Sequence, residues 1–106
     1  MKMLKVFISQ RMHGRTDEAV MAEREEAERK IKASYPDCSI KVIDQFHVND
    51  APENAGRLFY LGHSVQLISE ADLVYFCKGW REANGCIIEW EICKRYGIPY
   101  VCENGI

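Results

Sequence analysis

The chain has 106 residues, 47% hydrophobic and 28% charged, the make-up of one globular domain with a small core. Its net charge of -2, from 14 Lys+Arg against 16 Asp+Glu, argues against a broad nucleic-acid-binding face, which needs clustered excess cation. No apolar run approaches the roughly 18–20 residues that span a bilayer, and the start Met1-Lys2-Met3-Leu4-Lys5-Val6, with charge inside its apolar stretch, reads as a first strand rather than a signal peptide.

Residues 4–9 form a short apolar, β-branched run and predict a buried strand. Residues 10–15 are a loop containing Gly14. Thr16 is a good helix cap, and Asp17 and Glu18 follow in the first turn, where the dipole favours anions. That helix is expected to reach Ser34, with Val20, Ala27 and Ile31 inward and a mixed-charge surface over 23–32. Tyr35-Pro36-Asp37 ends it.

A second strand is expected over 39–44, then a polar loop over 45–54 with His47, Asn49, Asp50 and Pro52. A second helix covers about 55–70, with Leu58, Leu61, Val65 and Ile68 at helical spacing. Asp72 opens a third strand over 73–77, and a loop runs over 78–84. A third helix spans about 84–96, Gly97 stops it, and 98–102 is the last strand. Strands alternating with helices predict an α/β fold: three layers, flavodoxin- or Rossmann-like, with about four parallel strands and helices on both faces. Ligands of such sheets bind beyond the carboxyl ends of the strands. That edge carries the loops over 9–15, 44–54 and 77–84.

The five cysteines, Cys38, Cys77, Cys86, Cys93 and Cys102, show neither C-x-x-C spacing nor a nearby histidine at zinc-ligand spacing. They read as reduced packing residues of a cytoplasmic protein. His13, His47 and His63 share no spacing, and His63 reads as a helix-surface residue.

Glu89 is out of place for a surface glutamate. At 100° per residue, Glu91, Lys94 and Arg95 mark the solvent side of the third helix, and Glu89 falls within the opposite arc of Cys86, Ile88, Trp90, Ile92, Cys93 and Tyr96. A buried carboxylate without a partner costs several kcal/mol. It is either a structural ion pair or a carboxylate facing a pocket, as nucleophile, base or hydroxyl clamp. Asp72 sits by pattern at the amino end of its strand, as a turn residue. The loop Ser9-Gln10-Arg11-Met12-His13-Gly14-Arg15 precedes a helix and carries two arginines, which suits either a phosphate site or a solvated basic loop. Trp80, after Gly79, is either a lid on the core or a face on which a base stacks.

Taken together, Val6 to Arg15, Ala71 to Trp80 and Gly85-Cys86-Ile87-Ile88-Glu89 resemble the nucleoside 2-deoxyribosyltransferase-like superfamily over nearly the whole chain. Its small bacterial and phage members, and the related 2'-deoxynucleoside 5'-phosphate N-hydrolases, are the most similar part. The resemblance implies that Glu89 is the nucleophile at the anomeric carbon and that Asp72 helps the base leave. It implies that Ser9, Gln10, Gly14 and Arg15 line the phosphate or sugar end. Gly79, Trp80 and Gly85 would line the rest, with Trp80 walling the base. The implied partner is a nucleoside or nucleotide, with no metal, cofactor, membrane or nucleic-acid polymer, and the implied assembly is a homodimer or higher. The chain departs from the superfamily pattern in four places. Ser9-Gln10-Arg11 replaces Gly-Pro or Gly-Ser, Phe7 replaces a tyrosine, Ala83 replaces Asp or Ser, and Ser64 stands where small members often carry Asp. A non-catalytic module binding a nucleotide or an NAD-derived ligand is the alternative.

Overall fold

The computed structural model describes residues 2–48 and 50–103; Asn49 of the second loop lies outside them. Strands β1 (Lys2–Ser9), β2 (Cys38–Val42), β3 (Leu73–Phe76) and β4 (Tyr100–Cys102) alternate with helices α1 (Asp17–Ser34), α2 (Arg57–Ile68) and α3 (Asn84–Tyr96). A single 3-10 turn, Trp80–Glu82, precedes α3. The four strands form one sheet in the order β2-β1-β3-β4, and every pairing is parallel. The α/β reading of the sequence holds.

The strand period of two sorts the core into two layers. Val6 and Ile8 of β1, with Leu73 and Tyr75 of β3, pack with Ala27 and Ile31 of α1. Phe7, Val74 and Phe76 point to the other face and pack with Ile68 of α2 and with Cys86 and Cys93 of α3. β3 is buried along its whole length, as expected of a strand covered on both sides.

The helix ends follow their local chemistry. The Thr16 side chain accepts the Ala19 N–H at 3.1 Å. Gly97 closes α3 at φ +67, a left-handed conformation that glycine adopts without strain. α2 is shorter than its hydrophobic spacing suggests and buries only Ile68 of its own residues. Leu58, at its first turn, is 80% exposed. The inner stripe of α1 holds one residue that the expected inner face omits: Arg24 is buried there with Val20, Ala27 and Ile31. Its guanidinium donates to the Ile43 carbonyl at 2.8 Å, reaches Gln10 and Gln45, and lies over the Phe46 ring.

No helix among the described residues is long and apolar enough to cross a membrane. All five cysteines are unpaired, and four are buried. Burial pushes the thiols up, that of Cys77 to about 12 and those of Cys86 and Cys93 to about 11, so they are protonated packing groups at neutral pH.

Ile31 is 1% exposed between helix and sheet. Ile31→Ala should cost about 2–5 kcal/mol by loss of buried surface and creation of a cavity. A urea titration, with the midpoint lowered at unchanged m-value, checks this.

Candidate active site

β1 leaves the sheet at Ser9, whose register partner on β3 is Phe76. Ser9 lies two residues after Phe7 and therefore shares its face, toward α3. Glu89 lies in the second turn of α3, three residues beyond the buried Cys86. The two meet: the Ser9 hydroxyl donates to a Glu89 carboxylate oxygen at 2.7 Å, with both side chains buried. Glu89 is 6% exposed and has no ion-pair partner within 4.0 Å among the described residues. The structural ion-pair reading of Glu89 is therefore set aside.

Burial pushes the Glu89 carboxyl up to about 7, while hydrogen bonding from Ser9 and from Ser64 of α2 favours the ionised form. A carboxyl poised there populates both charge states at neutral pH. It can serve as a nucleophile, as a general base, or as an acceptor for a ligand hydroxyl.

Several residues expected at the site have other roles. Asp72 is at the far end of β3. Its carboxylate accepts the Lys5 backbone N–H at 2.9 Å, and its own N–H donates to the Lys5 carbonyl at 2.8 Å. The four residue steps to Phe76 place it about 13 Å along the strand from the ligand edge. Within one chain it cannot reach the groups around Glu89, and the acid/base role implied for it is corrected to a cap on the β1–β3 ladder.

Gln10 points inward, donating to the Val20 carbonyl at 2.9 Å and to Glu23. Arg15 is taken up by Glu23 at 2.8 Å and by the Arg11 carbonyl, also at 2.8 Å. Both side chains therefore tie the first loop to α1 or to itself. Trp80 is a core residue, packed against Phe76 and Trp90 with ring centroids 5.4 Å apart in each case. Arg81 covers it as well, so the lid reading of Trp80 replaces the base-stacking one.

The glycines differ. Gly14, at φ +77, has open space where a Cβ would project. Gly79, at φ +85, is approached by the Arg11 guanidinium. Gly85, in the first turn of α3, lies beside Leu61 of α2.

The structure thus assembles Ser9, Ser64, Cys86 and Glu89, with Arg11 against Gly79. Ser64 stands out in the sequence only as a departure from the superfamily pattern, and Arg11 as one of the two arginines of the first loop. A separate groove of about 510 Å³ runs along α2 and is lined by His47, Leu58, Phe59, His63 and Gln66, among others. His63 is half-buried there rather than on the open surface, and its Nε2 is buried without a hydrogen-bond partner.

A family model described as a domain of unknown function, DUF4406, matches residues 4–102. The chain belongs to that family. No curated protein matches it. Among solved structures it is similar to a conserved protein from Enterococcus faecalis V583, with 17% identity and a TM-score of 0.64. That match covers 94% of this chain and 62% of the other, so this chain spans less than two thirds of its structural relative. At such identity the likeness speaks for the α/β fold alone.

The raised Glu89 carboxyl makes stability depend on pH. Its proton is held more tightly folded than unfolded, so its contribution is most favourable below about pH 4.5 and is lost as pH rises to about 7. At roughly 1.4 kcal/mol per pKa unit, Glu89→Gln should gain about 3 kcal/mol on wild type between pH 4 and pH 8. Paired denaturant titrations at the two pH values measure it; an unchanged difference would show that Glu89 is not desolvated in the folded chain.

Proposed function

We propose that the protein cleaves the N-glycosidic bond of a nucleoside or nucleoside 5'-monophosphate, by hydrolysis or base exchange, with Glu89 as nucleophile. The observation that carries this reading is a lone buried carboxylate at the ligand edge of a parallel sheet, held by a serine and poised near neutral pH. The resemblance of the Ala71–Trp80 and Gly85–Glu89 segments to the nucleoside 2-deoxyribosyltransferase-like superfamily supplies the reaction.

In that reaction the ionised Glu89 oxygen attacks the anomeric carbon, and the carbon–nitrogen bond breaks with its electron pair passing to the base. The base takes up a proton. Water, or a second base, then attacks the same carbon, releases the sugar product and restores the carboxylate. This is the double displacement of retaining glycosidases. Ser9 donates to one carboxylate oxygen, and the Ser64 hydroxyl stands beside the same group, so the two serines hold the carboxylate in place. Because Asp72 lies at the opposite edge, the proton for the departing base comes from water or from another group near the ligand.

Chromatography of a nucleoside and nucleotide panel, with and without an acceptor base, tests the reading. Free base should appear from at least one member, and Glu89→Gln should lower its release on the order of 10³-fold or more. Turnover should rise about tenfold per pH unit below pH 7 and level off above it, as ionised nucleophile accumulates. Asp72→Asn should leave the rate within about threefold, a ΔΔG‡ under about 1 kcal/mol. Absence of base release from every member would leave the second reading, a module that binds a nucleotide or NAD-derived ligand. The Ser64 hydroxyl favours that alternative, standing beside Glu89 where small superfamily members often carry an acid.

We also propose that two copies associate through the α2 side of the molecule. Leu58, Phe59 and Tyr60 of α2 and Ile88 of α3 are exposed large apolar residues of neighbouring helices. Helices rarely leave so much apolar surface in water without a partner. Light scattering after size exclusion should give twice the chain mass, and Leu58→Asp should give the monomer. The unpaired cysteines favour a reducing compartment, the cytoplasm.

A further inference from the structure

Ser9 ends β1, and its backbone is tied to the end of β3. Its carbonyl accepts the Cys77 N–H at 3.0 Å, and Phe76 is its register partner. Only 1% of Ser9 is exposed, and Phe7 and Ile8 before it are fully buried. A serine hydroxyl has a single proton to donate. Here that proton goes to Glu89 Oε1 at 2.7 Å. A ligand takes it only by displacing the carboxylate, and a residue this buried presents almost no surface to a ligand. The phosphate or sugar contact that the superfamily resemblance implies for Ser9 therefore does not fit its surroundings.

Glu89 needs what Ser9 supplies. A long glutamate side chain samples more rotamers than a short serine one, so a donor fixed on a strand end narrows the carboxylate to one geometry. No cation does this in its place: Glu89 forms no ion pair among the described residues. Its titratable neighbours, Cys86 and Cys93 of the same helix, are protonated thiols at neutral pH. A hydroxyl facing a buried carboxylate also favours the ionised form, the one that attacks.

We infer that Ser9 is the positioning residue of Glu89: its hydroxyl holds the carboxylate in the geometry of attack, and other groups contact the ligand. The inference rests on the nucleophile role of Glu89 proposed above. It assigns Ser9 to the rate of the chemical step and not to affinity for the substrate.

Ser9→Ala removes the hydroxyl. Ser9→Cys, kept under reductant, retains a side chain of similar shape and replaces a strong O–H donor by a weak S–H one. One readout needs no turnover: isotope-edited NMR of the glutamate carboxyls, with the Glu89 signal identified by its loss in Glu89→Gln. Its midpoint should lie at about pH 7 in wild type and about one pH unit higher in both variants. The other readout is steady-state release of base from any nucleoside or nucleotide that wild type turns over. kcat should fall on the order of tenfold or more with KM within about threefold, and the acid limb of the pH profile should move up with the NMR midpoint.

A Glu89 midpoint unmoved in both variants overturns the inference, whether or not the protein releases base. A raised KM at unchanged kcat also overturns it, because Ser9 is then a ligand contact. So does a Ser9→Cys protein that matches wild type in both readouts, because Ser9 then serves by shape alone. If Ser9→Ala does not fold, Ser9→Cys carries both measurements. A wild-type protein that releases no base removes the glycosidase reading; a midpoint raised in the variants then leaves Ser9 as the group that positions a ligand-binding carboxylate.

Discussion

The structure depends on the central pair β1–β3 being covered on both faces. A parallel pair buried this way has no solvent side, so alternate residues must satisfy two different helical layers. Val6 and Ile8 serve α1, while Phe7 serves α2 and α3. The same alternation carries Ser9, the last residue of β1, onto the α3 side. There it is a polar group in a nearly dry environment, and the Glu89 carboxylate is its acceptor. The site chemistry is thus a consequence of strand period and strand end.

That buried pair works against stability and in favour of reactivity. Desolvation holds the Glu89 carboxyl near neutrality, and two hydroxyls offset only part of the effect. No guanidinium pairs with it. Such strain is tolerated where the surroundings are well determined, and here they are. Cys86 and Cys93 anchor the same helix in the core, and Trp80 packs against both Phe76 and Trp90. Around the first loop, Gln10, Arg15, Glu23 and Arg24 form a network that fixes the backbone from within. Charges that look available for a ligand in the sequence are the ones that build this scaffold.

The two ends of the sheet divide the labour. At the amino edge Asp72 ties β3 to β1 by accepting one Lys5 backbone hydrogen bond and donating another. At the carboxyl edge the loops leave Gly79 free of a side chain, and Arg11 occupies the room. Structural carboxylate and candidate nucleophile therefore sit about a strand's length apart. The exposed apolar flank of α2 adds a third region, and this small chain covers it with nothing of its own among the described residues.

The sequence by itself determined the order of elements, the parallel α/β class and the singularity of Glu89. These follow from local signals: apolar period, Thr16 as a cap, Gly97 as a stop, and a helix projection that needs no partner. It also places Asp72 at the amino end of its strand by pattern, where it ties to Lys5, whereas the superfamily resemblance implies a role in the site. Only the tertiary structure decided what the polar side chains touch. Arg24 reads as part of a charged surface and is buried. Arg15 and Gln10 read as ligand contacts and are internal ties. Trp80 reads equally as lid or platform and is the lid. A side chain's partner depends on residues far away in sequence, 80 positions in the case of Ser9 and Glu89. No periodicity within a segment records which segments the sheet order brings together.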